Sequence, residues 1–142
     1  MNEAVQIRPF QHPDDYGAVI DLWERSGPGV HVGRSDTLDE IKKKLISDPD
    51  LFLIAECKGR VIGAVIGGYD GRRALVYHLA VSEEHRRQGI GKALMETLED
   101  LLREYGCLRS YLLITKDNPA IAFYEEQGWQ MLDLYALGKD IQ

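Results

Sequence analysis

The spacing of apolar residues changes several times along the chain, and each change marks an element. Residues 4–10, AVQIRPF, predict a short first strand. Over 12–26, Tyr16, Val19, Ile20, Leu22 and Trp23 fall close to a helical stripe, behind acidic residues that suit a helix start. The stretch GPGVHVGRS (27–35) breaks that pattern. Leu38, Ile41, Leu45 and Ile46 then resume it in a second helix over 35–47. Residues 51–71 hold two apolar, β-branched runs joined at Lys58-Gly59, the pattern of a tight hairpin. ALVYHLAV (74–81) is a further strand. Ile90, Leu94, Leu98, Leu101, Leu102 and Tyr105 line one face of a helix over 89–106, which Gly106 ends. A strand at 108–115 follows, then a short helix at 118–128 with Pro119 in its first turn. A final strand at 129–139 completes the order β-α-α-β-β-β-α-β-α-β, an α/β mixture with a mostly antiparallel first half.

With 142 residues, no repeat and no linker, residues 1–142 are expected to form one domain. No apolar run approaches the roughly 20 residues that span a bilayer, and the N-terminus lacks a basic segment followed by an apolar one. A cytoplasmic protein without a membrane partner is therefore expected. Cys57 and Cys107 form no CxxC pair, so neither a metal nor a redox motif is expected, and the thiols are expected to be reduced. A net charge of −6 argues against nucleic acid as a partner. The positive charge is uneven, however: Arg86, Arg87 and Lys92 cluster tightly, and Arg72 pairs with Arg73. That distribution suits a small polyanion better than a polymer.

The cluster lies in EEHRRQGIGKALM (83–95), between a predicted strand and the strongest predicted helix. A Walker A loop fails here, because Arg86 holds the first glycine's place and Ala93 the hydroxyl's. The dinucleotide fingerprint fails at Leu94, where its third glycine belongs. The pattern Arg86-x-x-Gly89-x-Gly91 does resemble the (Q/R)xxGx(G/A) motif of the GCN5-related N-acetyltransferase (GNAT) family. Its physics is that of an anion cradle. A loop and first helical turn present unpaired N–H groups, the helix dipole adds positive charge, and glycines leave the approach open. The resemblance implies the pyrophosphate of acetyl-CoA as guest, held by Arg86, Arg87, Gln88, Gly89, Ile90, Gly91 and Lys92. It also implies a single GNAT-like domain, with a mixed, mostly antiparallel sheet flanked by about four helices.

A second stretch, TKDNPAIAFYEEQGW (115–129), is similar to the family signature N-x-x-A-x-x-x-Y-E-x-x-G-(F/W). Anchored on Tyr124, everything from Ala120 to Trp129 is in register, but the leading Asn falls on Asp117. Either Asp117 or Asn118 takes that role toward the pantetheine arm. Asn118 is favoured because an amide both donates and accepts, whereas a carboxylate only accepts. The resemblance makes Tyr124 the acid that protonates the departing thiolate. A phenol titrating near about 10 can serve a thiol near about 8.5. By position on the strand, the main chain of Leu79, Ala80 and Val81 would bind pantetheine and face the thioester oxygen.

The carboxylate base of some relatives is missing, since Leu75, Leu112 and Leu113 stand at its positions. His78 is the candidate base, and Tyr77 could hold a water. Strand alternation brings at most one of them to the acetyl group. Glu56, Glu83, Asp70 and a water chain remain alternatives. The expected activity is acetyl transfer from acetyl-CoA directly to a primary amine of a small molecule or a protein N-terminus, with no metal. The alternative is a non-catalytic acyl-CoA-binding or sensor module on the same fold. The acceptor is expected to meet the 27–35 loop with its His31 and Arg34, and a homodimer is compatible with the sequence.

Overall fold

Five strands lie side by side in chain order in this computed structural model, which describes residues 4–142. They are β1 (Val5–Pro9), β2 (Phe52–Cys57), β3 (Arg60–Tyr69), β4 (Ala74–Val81) and β5 (Ser110–Leu112). β1 to β4 are antiparallel neighbours, and β5 joins β4 in parallel. Four helices cover the sheet: α1 (Tyr16–Glu24), α2 (Leu38–Ser47), α3 (Ile90–Glu104) and α4 (Ile121–Glu126). Two single turns of 3-10 helix, Arg34–Asp36 and Glu83–His85, sit in the connections before α2 and α3.

The period-two side-chain alternation of β2 divides the interior. Leu53, Ala55 and Cys57 join Leu94, Met95, Leu98 and Leu102 of α3 on one face. Phe52 and Ile54 join Val19, Leu22 and Trp23 of α1 and Ile41 of α2 on the other. A helix layer on each side explains why β2 is apolar at nearly every position rather than at every second one. The predicted hairpin is present: Lys58 (φ 52°) and Gly59 (φ 75°) both occupy the left-handed region that a two-residue turn of this hand requires.

The last predicted strand differs. Residues 129–139 form no ladder, and residues 131–142 are exposed throughout. Apolar content alone does not make a strand, which also needs an edge to hydrogen-bond, and β5 is only three residues long.

Candidate active site

The site begins with a defect in β4. Across β3, Ala64 faces Ala80 and Ile66 faces Tyr77, so one residue of β3 opposes the two residues His78 and Leu79. This is a β-bulge, with His78 at φ 57°, a left-handed conformation uncommon outside glycine. On its other edge β4 pairs with β5 only at Ala74, Leu75 and Val76. Beyond them the strands part, and the opening is a cavity of about 350 Å³. Tyr77, His78, Leu79, Ile114, Asn118 and Tyr124 are among its walls, together with His31 from the loop before α2.

The bulge interrupts the expected alternation, and Tyr77 and His78 both border the cavity. The alternation rule presumes a regular pleat, and the extra residue breaks it. Glu56 is engaged by Arg8 at 2.8 Å, and Asp70 accepts the backbone N–H groups of Arg72 and Arg73. These carboxylates and Glu83 lie outside the cavity wall.

His78 is held from several sides. Its Nε2 lies 3.3 Å from Oδ2 of Asp36. The same oxygen accepts the Gly33 N–H at 2.9 Å. The indole N–H of the fully buried Trp23 donates to the His78 carbonyl at 3.1 Å, and the two rings meet edge to face. Burial pushes the Asp36 carboxyl up, but the hydrogen bonds from His78 and Gly33 and the charge of the imidazole outweigh it. The net effect holds Asp36 below the usual carboxylate range. The sequence reading missed both partners. Asp36 reads there as the start of a helix, and Trp23 as part of an apolar stripe.

Just past the C-terminal end of β4 lies the cradle. Gly89 caps α3 in the left-handed conformation (φ 82°), and Arg87 (φ 64°) shares that region. The two inversions turn the chain so that the N–H groups of residues 87–92 find no hydrogen-bond partner among the described residues. Arg86 Nε donates to the Val81 carbonyl at 3.1 Å, tying the loop to the end of β4. Arg87, Gln88 and Lys92 are exposed. The two glycines differ in role. A Cβ at Gly89 would enter open space, whereas one at Gly91 would meet the Phe123 ring at 3.3 Å. Gly91 thus lets α3 and α4 close together, a packing role beside the anion approach expected of it.

Tyr124, from α4, closes the cavity. It is 3% exposed, and burial alone pushes its phenol up to about 12. Its side chain also borders a larger groove of about 910 Å³ between α3, β5, α4 and the C-terminal segment. Asn118 accepts the Ala120 N–H at 2.8 Å and reaches the Gly29 carbonyl at 3.5 Å, joining the start of α4 to the 27–33 loop at the cavity wall. Asp117 instead accepts the hydroxyl of Thr115 and is not part of that wall. Leu79, Ala80 and Val81 run past the cavity, with Ala80 and Val81 paired to β3 and Leu79 in the bulge.

A parted pair of parallel strands followed by a glycine-capped helix frames the site, and comparison with known proteins identifies the family to which that frame belongs. The chain belongs to the acetyltransferase (GNAT) family, whose model matches residues 16–129. It is 42% identical to an acetyltransferase of Pectobacterium atrosepticum, over 95% of this chain and 94% of that one. It is 39% identical to an uncharacterized N-acetyltransferase of Yersinia pestis, over the same shares. Among solved structures, Ard1 from Thermoplasma volcanium superposes with a TM-score of 0.78 at 30% identity, covering 92% of this chain and 85% of that one. The PaiA N-acetyltransferase of Thermoplasma acidophilum, solved with coenzyme A, has a TM-score of 0.80 at 18% identity, covering 93% of each chain. The protein is accordingly an acetyl-CoA-dependent acetyltransferase. No helix among the described residues is long and apolar enough to cross a membrane.

Proposed function

We propose that the acceptor is a primary amine, and that transfer is direct, within the cavity between β4 and β5. The observation that carries this reading is the pairing of a protonated phenol and a partly buried imidazole on the walls of one cavity. In the scheme, residues 86–92 hold the pyrophosphate and Asn118 contacts the pantetheine arm. The main chain of Leu79, Ala80 and Val81 orients the thioester. The amine nitrogen bonds to the acetyl carbon as its proton passes to His78, and the carbon–sulfur bond breaks as Tyr124 gives its proton to sulfur. The phenolate then recovers a proton from the imidazolium through solvent. Neither residue changes state over a complete cycle. The unpartnered N–H groups of the cradle and the open space over Gly89 fit a pyrophosphate.

The acceptor end is bordered by His31, Ser35, Tyr77 and Leu75, a mixed surface that suits a small amine or a chain terminus. The test is release of free thiol from acetyl-CoA across a panel of small amines and peptides with free N-termini. Turnover with at least one primary amine, and none with matched alcohols, is expected. Transfer to alcohols alone would refute an amine acceptor.

A further inference from the structure

Asp36 is a charged side chain buried to 4% exposure, and among the described residues its only cationic neighbour is a histidine that can also be neutral. A buried carboxylate is costly unless its partners repay the desolvation. The Gly33 N–H repays part of it, and His78 is the other partner. That partner is itself held in a left-handed conformation at a bulge, which persists in a non-glycine residue only where the surroundings hold it. The constraints converge on one side chain at the wall of the cavity.

The geometry also settles which ring nitrogen is free. A carboxylate only accepts, so the nitrogen facing Asp36 carries the proton. Nε2 is that nitrogen, which leaves Nδ1 unprotonated in the neutral ring. Nδ1 has no hydrogen-bond partner among the described residues. We infer that Asp36 is a positioning residue for His78: it fixes the ring so that Nδ1 takes the proton of the acceptor amine, and it balances the imidazolium that results. The inference rests on His78 acting as the base in the proposed function. Asp36 touches neither donor nor acceptor and acts only through the imidazole.

The experiment is a double-mutant cycle on Asp36→Asn and His78→Gln in the full chain, with acetyl-CoA and an amine the enzyme turns over. The asparagine keeps an oxygen for the Gly33 N–H, so the loop should stay folded, with a modest fall in melting temperature at neutral pH where the carboxylate had contributed. Expected for Asp36→Asn is a fall in kcat of roughly 10-fold or more, with KM for acetyl-CoA within about twofold of wild type. His78→Gln should lower kcat by roughly 100-fold, and adding Asp36→Asn to it should cost nothing further. An undiminished kcat in Asp36→Asn, or the same loss in the His78→Gln background, overturns the positioning role and leaves the base standing. Full activity in His78→Gln overturns both.

Discussion

Tyr124 shows how much one side chain's surroundings decide. A phenol near about 10 is already a weak acid, and burial moves this one up to about 12. It therefore stays protonated wherever the enzyme works, as an acid for a thiolate must. Replacing it with phenylalanine keeps the ring in its buried place and removes only the proton. Tyr124→Phe should lower kcat by roughly 100-fold while the dissociation constant for CoA, measured by calorimetry, changes by less than about threefold. An equal loss in both would make Tyr124 a packing residue. Gly89 is the converse case, where backbone rather than chemistry decides. Its φ of 82° strains any branched side chain. Gly89→Val should weaken CoA binding about tenfold or more, and unchanged affinity would sink the cradle. Both residues stand out in the sequence because short motifs carry them. The surroundings of His78 do not, since Asp36 is 42 positions away and a bulge is set by pairing across strands.

The elements were legible in proportion to the strength of their periodicity. The six-residue stripe of the helix before Gly106 became α3, and Ile90, Leu94, Leu98 and Leu102 are buried as it requires. Leu101 is only partly buried, and Tyr105 departs further: it is half exposed, lies against Tyr69, and gives its hydroxyl to Asp50. The strand expected at 129–139 had the composition, but the outer strand β5 offers only three residues and the segment forms no ladder with it, which no reading of one segment reveals. The two-sided burial of β2 was visible in its unbroken apolar run, yet only the sheet order says which helices cover which face. Packing of α3 also yields a prediction. Leu98 is fully buried between the sheet and α3. Leu98→Ala should cost about 2–5 kcal/mol in urea unfolding. Although α3 begins at the cradle, Leu98 lies about two turns into it, so CoA affinity at temperatures well below melting should stay near wild type. A mutant that lost affinity without losing stability would mean that α3 transmits packing to the loop.

What joins the layers into one cooperative unit is partly electrostatic, and its pH dependence has a definite sign. Arg8 of β1 makes two hydrogen bonds to Asp15, at 2.7 and 3.0 Å, just ahead of α1, and a third to Glu56 of β2 at 2.8 Å. Burial pushes the Asp15 carboxyl up, but the bonds from Arg8 and the Gln11 N–H together with the guanidinium charge prevail, so its net shift is downward. Asp36 is shifted the same way by its own partners. A carboxyl that ionises more readily in the folded chain than in the unfolded one stabilises the fold above its unfolded value, near 3.8 for these groups. That contribution is lost as pH falls through the depressed folded values, because the unfolded chain then binds more protons. Urea unfolding midpoints should therefore hold steady from about pH 7 to 5 and fall steeply below about 4. Arg8→Met should remove roughly 2–3 kcal/mol at neutral pH, the range for losing hydrogen bonds to a partly buried charge. It should also flatten the acid limb, since Asp15 then keeps only the Gln11 N–H against its burial, while the portion due to Asp36 remains. An Arg8→Met protein that kept the full wild-type acid slope would assign that slope to Asp36 and other carboxylates, and would remove Arg8 as the clasp between sheet and helix.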